Sequence, residues 1–133
     1  MNSKFKKHLA ELCRYMQDSG IDLYPFPRVM LNHEPQEDDS IYQQTGYYDP
    51  RAKSVTLFIN GRHDKDILRS FAHELIHHNQ NLTGEMTPEK VGENGDSDTY
   101  AQDNAHLRKL EEDAYLRGNM AFRDWTDKKK YGK

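Results

Sequence analysis

The sequence predicts a single α+β domain with an N-terminal helix, a small, mostly antiparallel sheet, and two further helices. Apolar residues recur at helical spacing in three segments, and one segment alternates apolar and polar side chains as a strand does. The 133 residues suffice for one hydrophobic core. The resulting order of helix, two or three strands, helix, long loop and helix is typical of an α+β domain.

The first element is an amphipathic helix over residues 4–18. Its apolar residues recur at helical spacing, and Gly20 ends the pattern. These residues are Phe5, Leu9, Leu12 and Met16. The stripe predicts which face of the helix packs on the core.

Three extended segments follow the first helix. Residues 28–33 are a candidate short strand, because two prolines break the chain just before them. Residues 41–48 are aromatic and predicted to be extended. The alternation over residues 54–60 is the clearest strand signal in the chain. The dipeptide Asp49-Pro50 predicts the turn that leads into this last strand.

Two longer helices complete the predicted domain. The first starts with Asp64 or Asp66 as its N-cap and runs to about Asn81. The second covers residues 104–125. Between them, residues 83–103 are rich in Gly, Asp, Glu and Asn and show no periodicity, which predicts a long loop of the functional kind that can cover a cleft.

The amino-acid composition limits which binding partners and which cellular compartment we expect for this protein. The formal net charge of −3 provides no general attraction to nucleic acid or an anionic membrane, and residues 128–133 are predicted to be a short, solvated basic tail.

No segment approaches the roughly 20 apolar residues that span a bilayer, and no signal-peptide pattern is present. The only cysteine, Cys13, has no disulfide partner within the chain. We expect a cytoplasmic protein with neither nucleic-acid nor membrane partners, located in the host cytoplasm or virion if a phage encodes it.

Residues 71–81, FAHELIHHNQN, contain the clearest candidate for a metal-binding motif. His73 and His77 are four apart on the predicted helix, so both imidazoles point the same way and can bind one ion. Neutral imidazole is a good zinc ligand. Glu74 is rotated by about 100° from His73. It can therefore take a proton from a metal-bound water, as in zinc-dependent peptidases with this spacing.

A plainer interpretation leaves the two histidines exposed and idle. The apolar residues of their helix form one stripe, and His73 and His77 lie roughly opposite to it, so periodicity does not predict them in the core. His78 faces about 100° away from His77. We expect His78 to lie at the surface or to support a ligand, and not to be a ligand itself.

A catalytic zinc usually has three protein ligands and an open position, so a third ligand is required. The candidates are Asp98, His106, Glu111, Glu112 and Asp113. On the last helix Glu111 falls within the inward stripe, whereas its two acidic neighbours point away from it. An acid on an inward face needs a positive partner, which a metal on the preceding helix supplies. Ala114 and Gly118 are small enough to let the helices approach closely. Glu111 is the predicted ligand, and a position at the edge of the stripe, reaching water, is the alternative.

The stretch His73-Glu74-Leu75-Ile76-His77, followed by Glu111-Glu112-Asp113-Ala114, resembles the gluzincin superfamily of zinc metallopeptidases, in the minimal form found in short prokaryotic and phage-encoded proteins. The resemblance covers about half of the chain. It implies a zincin-like fold, one zinc ion held by His73, His77 and Glu111, and Glu74 as the general base for cleavage of a peptide or protein substrate. It also implies that strand 54–60 lies at the cleft edge and pairs with the extended substrate.

Two features depart from that family. Many relatives have an acid after the alanine that supports a ligand histidine, and Tyr115 stands there in this chain. The oxyanion-stabilising residue is open among Tyr100, His106, Tyr115 and Arg117. A glycine–aspartate stretch loosely resembles the aspzincin motif, which makes Asp98 the second choice for the third ligand. These departures keep open a second function, a zincin-like zinc-binding scaffold without catalysis.

Overall fold

The computed structural model describes residues 3–35, 45–86 and 105–131. Within these ranges the elements are α1 (Ser3–Asp18), β1 (Arg28–Asn32), β2 (Gly46–Asp49), β3 (Ser54–Phe58), α2 (Asp64–Leu82) and α3 (Ala105–Tyr131). Three helices with one small sheet confirm the predicted α+β class. The predicted extended segment 41–48 is observed as a strand from Gly46 onward, and its residues 41–44 lie outside the described residues.

The sheet is mixed, with the strand order β1-β3-β2. The central strand β3 runs parallel to β1 and antiparallel to β2. The prediction of a mostly antiparallel sheet is therefore wrong for one of the two pairings. The tight turn at residues 50–53 makes β2 and β3 antiparallel. The connection from β1 to β3 is long enough for β1 to run in the same direction as β3 on its other side.

Because β3 has a neighbour on each side, it has no free edge for a peptide to pair with. The expectation that strand 54–60 borders the cleft and pairs with substrate is therefore wrong. Pairing order depends on contacts between distant segments, which the alternation within one strand does not reveal. In the described part of the chain, the outer edge of β2 is the one that remains unpaired on that side of the sheet.

The helix that carries the histidine motif is capped one residue before the first of the two predicted caps. His63 is the N-cap of α2, and its Nδ1 accepts a hydrogen bond from the backbone N–H of Lys65 at 3.2 Å. Asp64 and Asp66 lie in the first turn instead. Their negative charges interact favourably with the positive end of the helix dipole there.

The main core lies between α1, one face of the sheet, α2 and the part of α3 from Ala114 onward. The apolar residues of the predicted stripes of α1 and α3 are buried, whereas Glu111, which was predicted to lie within the inward stripe of α3, is exposed. The helix α3 continues past the predicted end at residue 125, so most of the predicted tail 128–133 is its last turn. There Lys129 contacts Glu11 of α1, with Nζ 3.3 Å from the carboxylate. Among the described residues, no helix combines the length and the apolarity needed to cross a bilayer.

Candidate metal centre

The three predicted ligands converge where α2 packs against α3. Glu111 Oε1 lies 2.5 Å from His77 Nε2 and 3.8 Å from His73 Nε2. The two imidazole rings are 5.1 Å apart between centroids. One ligand atom from each residue lies within 4.8 Å of the other two. This group could hold a metal ion.

Close packing of the two helices brings Glu111 to the histidines. A β-carbon on Gly118 would lie 2.9 Å from the Cα of His73, which is closer than packed carbon atoms approach one another. Ala114, one turn before Gly118, is fully buried. The two small residues therefore let α3 lie directly on the backbone of α2, as their size predicted. Glu111 is two turns before Gly118 and points toward the same side.

The centre is closed at one end and open at the other. Only 7% of the His77 side chain is exposed, compared with 26% for His73 and 53% for Glu111. Glu111 thus lies at the rim of the helix interface and turns its carboxylate back toward the imidazoles. The cluster is therefore accessible to solvent from the side of Glu111.

Glu74 lies buried beside the cluster. Burial raises the pKa of its carboxyl group above the ordinary value, although His77 and His73 act in the opposite direction. Glu74 also lies next to the beginning of β2, because a β-carbon on Gly46 would be 3.8 Å from its Cγ. The predicted general base therefore lies within electrostatic reach of the cluster and next to an edge strand.

The imidazoles and the carboxylate perturb each other strongly. His73 and His77 hold the pKa of Glu111 well below its ordinary value. Burial acts to lower the pKa of His77, but the hydrogen bond with Glu111 and the charge of Glu74 raise it overall. The proximity of Glu111 therefore favours the protonated form of the His77 ring.

Behind His77 lies a hydrogen-bonded residue that the sequence analysis missed. Gln80 Oε1 is 2.8 Å from His77 Nδ1, and Gln80 Nε2 donates to the carbonyl of Leu110 and to Asp113 Oδ2, both at 2.9 Å. The signal in the sequence was the position of Gln80 three residues after His77 on the same helix. Asp113 was predicted to point away from the centre. It does not join the ligand cluster, but it holds this glutamine.

The other predicted site residues are dispersed. Tyr115 is one turn after Glu111 and 68% exposed. His106 Nε2 is 2.6 Å from the carbonyl oxygen of Glu85. Arg117 binds Asp113 through two hydrogen bonds.

Two further candidates, Asp98 and Tyr100, lie outside the described residues. Glu112, next to the ligand, is exposed.

His78 does not lie at the surface and does not contact the cluster. It is fully buried, with Nδ1 2.7 Å from the hydroxyl of Tyr48 and Nε2 close to the carbonyls of Leu23 (3.2 Å) and Pro25 (2.7 Å). The prediction of a surface or supporting role was wrong because the segment before β1 folds over this side of α2. Periodicity along one helix does not report such a long-range contact.

Comparisons with family models, with curated proteins and with solved structures found no match for this chain. The functional conclusion therefore rests on the geometry of the centre. Two imidazoles and one carboxylate can hold one divalent cation, with nitrogen and oxygen donors that suit zinc and several neighbouring transition metals.

Proposed function

We propose that this protein is a zinc-dependent metallopeptidase that hydrolyses peptide bonds through a metal-activated water. The observation that carries the proposal is the convergence of His73, His77 and Glu111 next to the buried carboxyl group of Glu74. Two histidines and one glutamate form a known ligand set of catalytic zinc, with one position left for water.

The hydrogen bonds of the centre support a cation between the helices. Gln80 faces His77 Nδ1 with its carbonyl oxygen, so Nδ1 carries a proton and donates it. The second nitrogen, Nε2, then presents a lone pair to Glu111 Oε1 at 2.5 Å. Two acceptors at that distance repel each other unless a positive charge joins them. A proton does so in the metal-free protein, and a metal ion is the natural replacement.

In this proposal Glu74 moves the proton. When bound, zinc supplies Lewis-acid polarisation and lowers the pKa of a water to about 7. Burial has already raised the pKa of Glu74, which brings it nearer to the working range of a general base. Glu74 takes the proton of the attacking water and passes it to the leaving amine. Tyr115, exposed one turn after Glu111, stays a candidate for contact with the developing oxyanion.

The edge strand β2 supports an extended peptide as substrate. Its outer edge is unpaired within the described ranges, and its first residue, Gly46, lies next to Glu74. A peptide that adds to this edge as a further strand would run past the general base. The substrate edge is thus assigned to β2, in place of the strand 54–60.

A second candidate function is a metal-binding scaffold without catalysis. One observation favours it: His77 and Glu111 already satisfy each other in the metal-free protein, so the centre does not require a reaction to explain it. The two functions differ in what Glu74 does. A scaffold needs the ligands but has no use for a general base.

The test combines metal analysis with cleavage of a broad peptide library. We expect one zinc per chain and cleavage by the wild type, with activity reduced about 10²–10⁴-fold in Glu74→Gln while zinc stays bound. Glu112→Gln is the matched control, because it removes an exposed glutamate beside the ligand and should keep full activity. Zinc binding with no difference between wild type and Glu74→Gln supports the scaffold. A wild type that binds no zinc contradicts both functions.

A further inference from the structure

We propose that Gln80, anchored by Asp113, positions His77 by dictating which ring nitrogen carries the proton. The inference rests on the metal centre proposed above, but it assigns a role to residues outside the ligand set. It also accounts for how this chain supports a ligand histidine without an acid at position 115.

The orientation of the Gln80 amide follows from its partners. Its nitrogen lies 2.9 Å from two oxygens, the carbonyl of Leu110 and a carboxylate oxygen of Asp113. Both are acceptors, so they take the two N–H groups of the amide. The carbonyl oxygen must then face His77. Gln80 is fully buried, and turning the amide over would place its oxygen against two acceptor oxygens.

Asp113 is itself held in place. Arg117 donates to both of its oxygens, from Nε at 2.7 Å and from a terminal nitrogen at 2.5 Å, in a bidentate pair. The same guanidinium reaches Asn79 Oδ1 at 3.2 Å, and Asn79 in turn donates to the backbone carbonyl of Asp22 at 2.9 Å. These hydrogen bonds connect the candidate metal centre with the loop after α1. Because Asp113 and Arg117 neutralise each other, the network directs His77 without adding a net charge behind it.

The consequence for the neutral His77 ring is a proton on Nδ1 and a lone pair on Nε2. That lone pair points to Glu111 and the ligand cluster. Ligand histidines in metal sites usually donate their second N–H to a carboxylate or carbonyl, which fixes the ring and its tautomer. Here a carboxamide receives the N–H, and the carboxylate is one hydrogen bond further away.

The tautomer can be tested without any metal. In Glu111→Ala, which removes the competing acceptor, ¹⁵N NMR of the neutral His77 ring should show the Nδ1–H form. Adding Gln80→Leu should return the ring to the Nε2–H form that histidine prefers in water. A ring already in the Nε2–H form with Gln80 present overturns the inference. This result does not depend on whether the protein binds zinc, so it separates failure of the inference from failure of the proposed function.

Zinc affinity provides the second measurement. Gln80→Leu should weaken zinc binding by about 10–100-fold, the usual effect of removing a residue that supports a ligand. The matched control is Asn81→Leu, because Asn81 also donates two amide hydrogen bonds, to the Tyr48 hydroxyl and the Pro50 carbonyl, but does not contact the centre. Equal weakening in both variants indicates a general packing effect and contradicts the inference.

Discussion

His77 and His78 are neighbours on α2, yet the two sides of the helix that they face differ in charge, access and hydrogen bonding. The His77 side meets α3, where Glu111 and Gln80 contact the ring and the centre opens to solvent. The His78 side meets Tyr48 and the segment before β1, and the ring is fully enclosed. The pKa of His77 is raised, whereas burial lowers the pKa of His78.

The hydrogen bonds also impose opposite tautomers on the two rings. His78 Nε2 faces two carbonyl oxygens and must donate, so its Nδ1 accepts from the Tyr48 hydroxyl. Asn81 donates to that hydroxyl, which leaves the phenolic proton for His78. Every polar atom of a neutral His78 is therefore used, and no lone pair is left for a metal. His77 keeps one lone pair directed at the cluster. The comparison indicates that partners, more than residue type, decide which histidine can be a ligand.

The largest expected effect separates the two histidines directly. His77→Ala should weaken zinc binding by more than the ~100-fold that removal of a supporting residue causes, because a ligand itself is lost. His78→Ala should instead destabilise the fold by about 3 kcal/mol, since it leaves a cavity and unpaired polar groups. Chelator competition and urea unfolding measure the two effects. If His78→Ala abolished zinc binding in the folded protein, the division between the two sides would be wrong.

A second change disturbs the His77 side alone. Gly118→Ala places a β-carbon against the backbone of His73, so α3 must move away from α2. We expect a loss of about 1–3 kcal/mol in unfolding free energy together with weaker zinc binding. Met120→Ala, at an exposed position of α3, is the control and should change stability by less than ~0.5 kcal/mol. The hydrogen bond between Tyr48 and His78 should persist in both variants, and its loss in Gly118→Ala would show that the two sides are coupled.

A smaller change probes the His78 side alone. Tyr48→Phe removes the hydroxyl that donates to His78 and accepts from Asn81. The expected cost is about 1–2 kcal/mol of unfolding free energy, because two buried partners lose a hydrogen bond. Zinc affinity should stay at the wild-type value. A marked loss of zinc affinity would contradict the structural role assigned to this network.

The smallest expected difference is in the pH dependence of stability of the metal-free protein. His77 has a raised pKa in the fold, so its contribution is complete below the ordinary value of 6.5 and is lost as pH rises through the raised pKa. His78 has a lowered pKa, so its contribution is complete above 6.5 and is lost as pH falls toward the lowered pKa. Urea unfolding from pH 5 to 9 in chelator, compared with His77→Gln and His78→Gln, should reveal opposite slopes. Slopes of the same sign would remove the electrostatic contrast between the two sides.

The residues of the candidate centre were accessible from the sequence because their placement is local geometry. Four-residue spacing on a helix puts His73 and His77 on one face whatever the rest of the chain does. The small residues Ala114 and Gly118 marked where the next helix comes close, and Glu111 follows from its place on that helix. The centre also depends on α3 packing against α2, which the apolar stripes of both helices favour.

The sequence by itself determined the helices, the strand at 54–58 and the shared helix face of His73 and His77, since periodicity and spacing act over a few residues. Only the tertiary structure decided that Glu111 meets the two histidines, that Gln80 and Asp113 lie behind His77, that His78 is enclosed, and that β3 is the central strand with β2 beside it. Each of these depends on which distant segments become neighbours. Such contacts follow from the packing of the whole chain, and no local pattern encodes them.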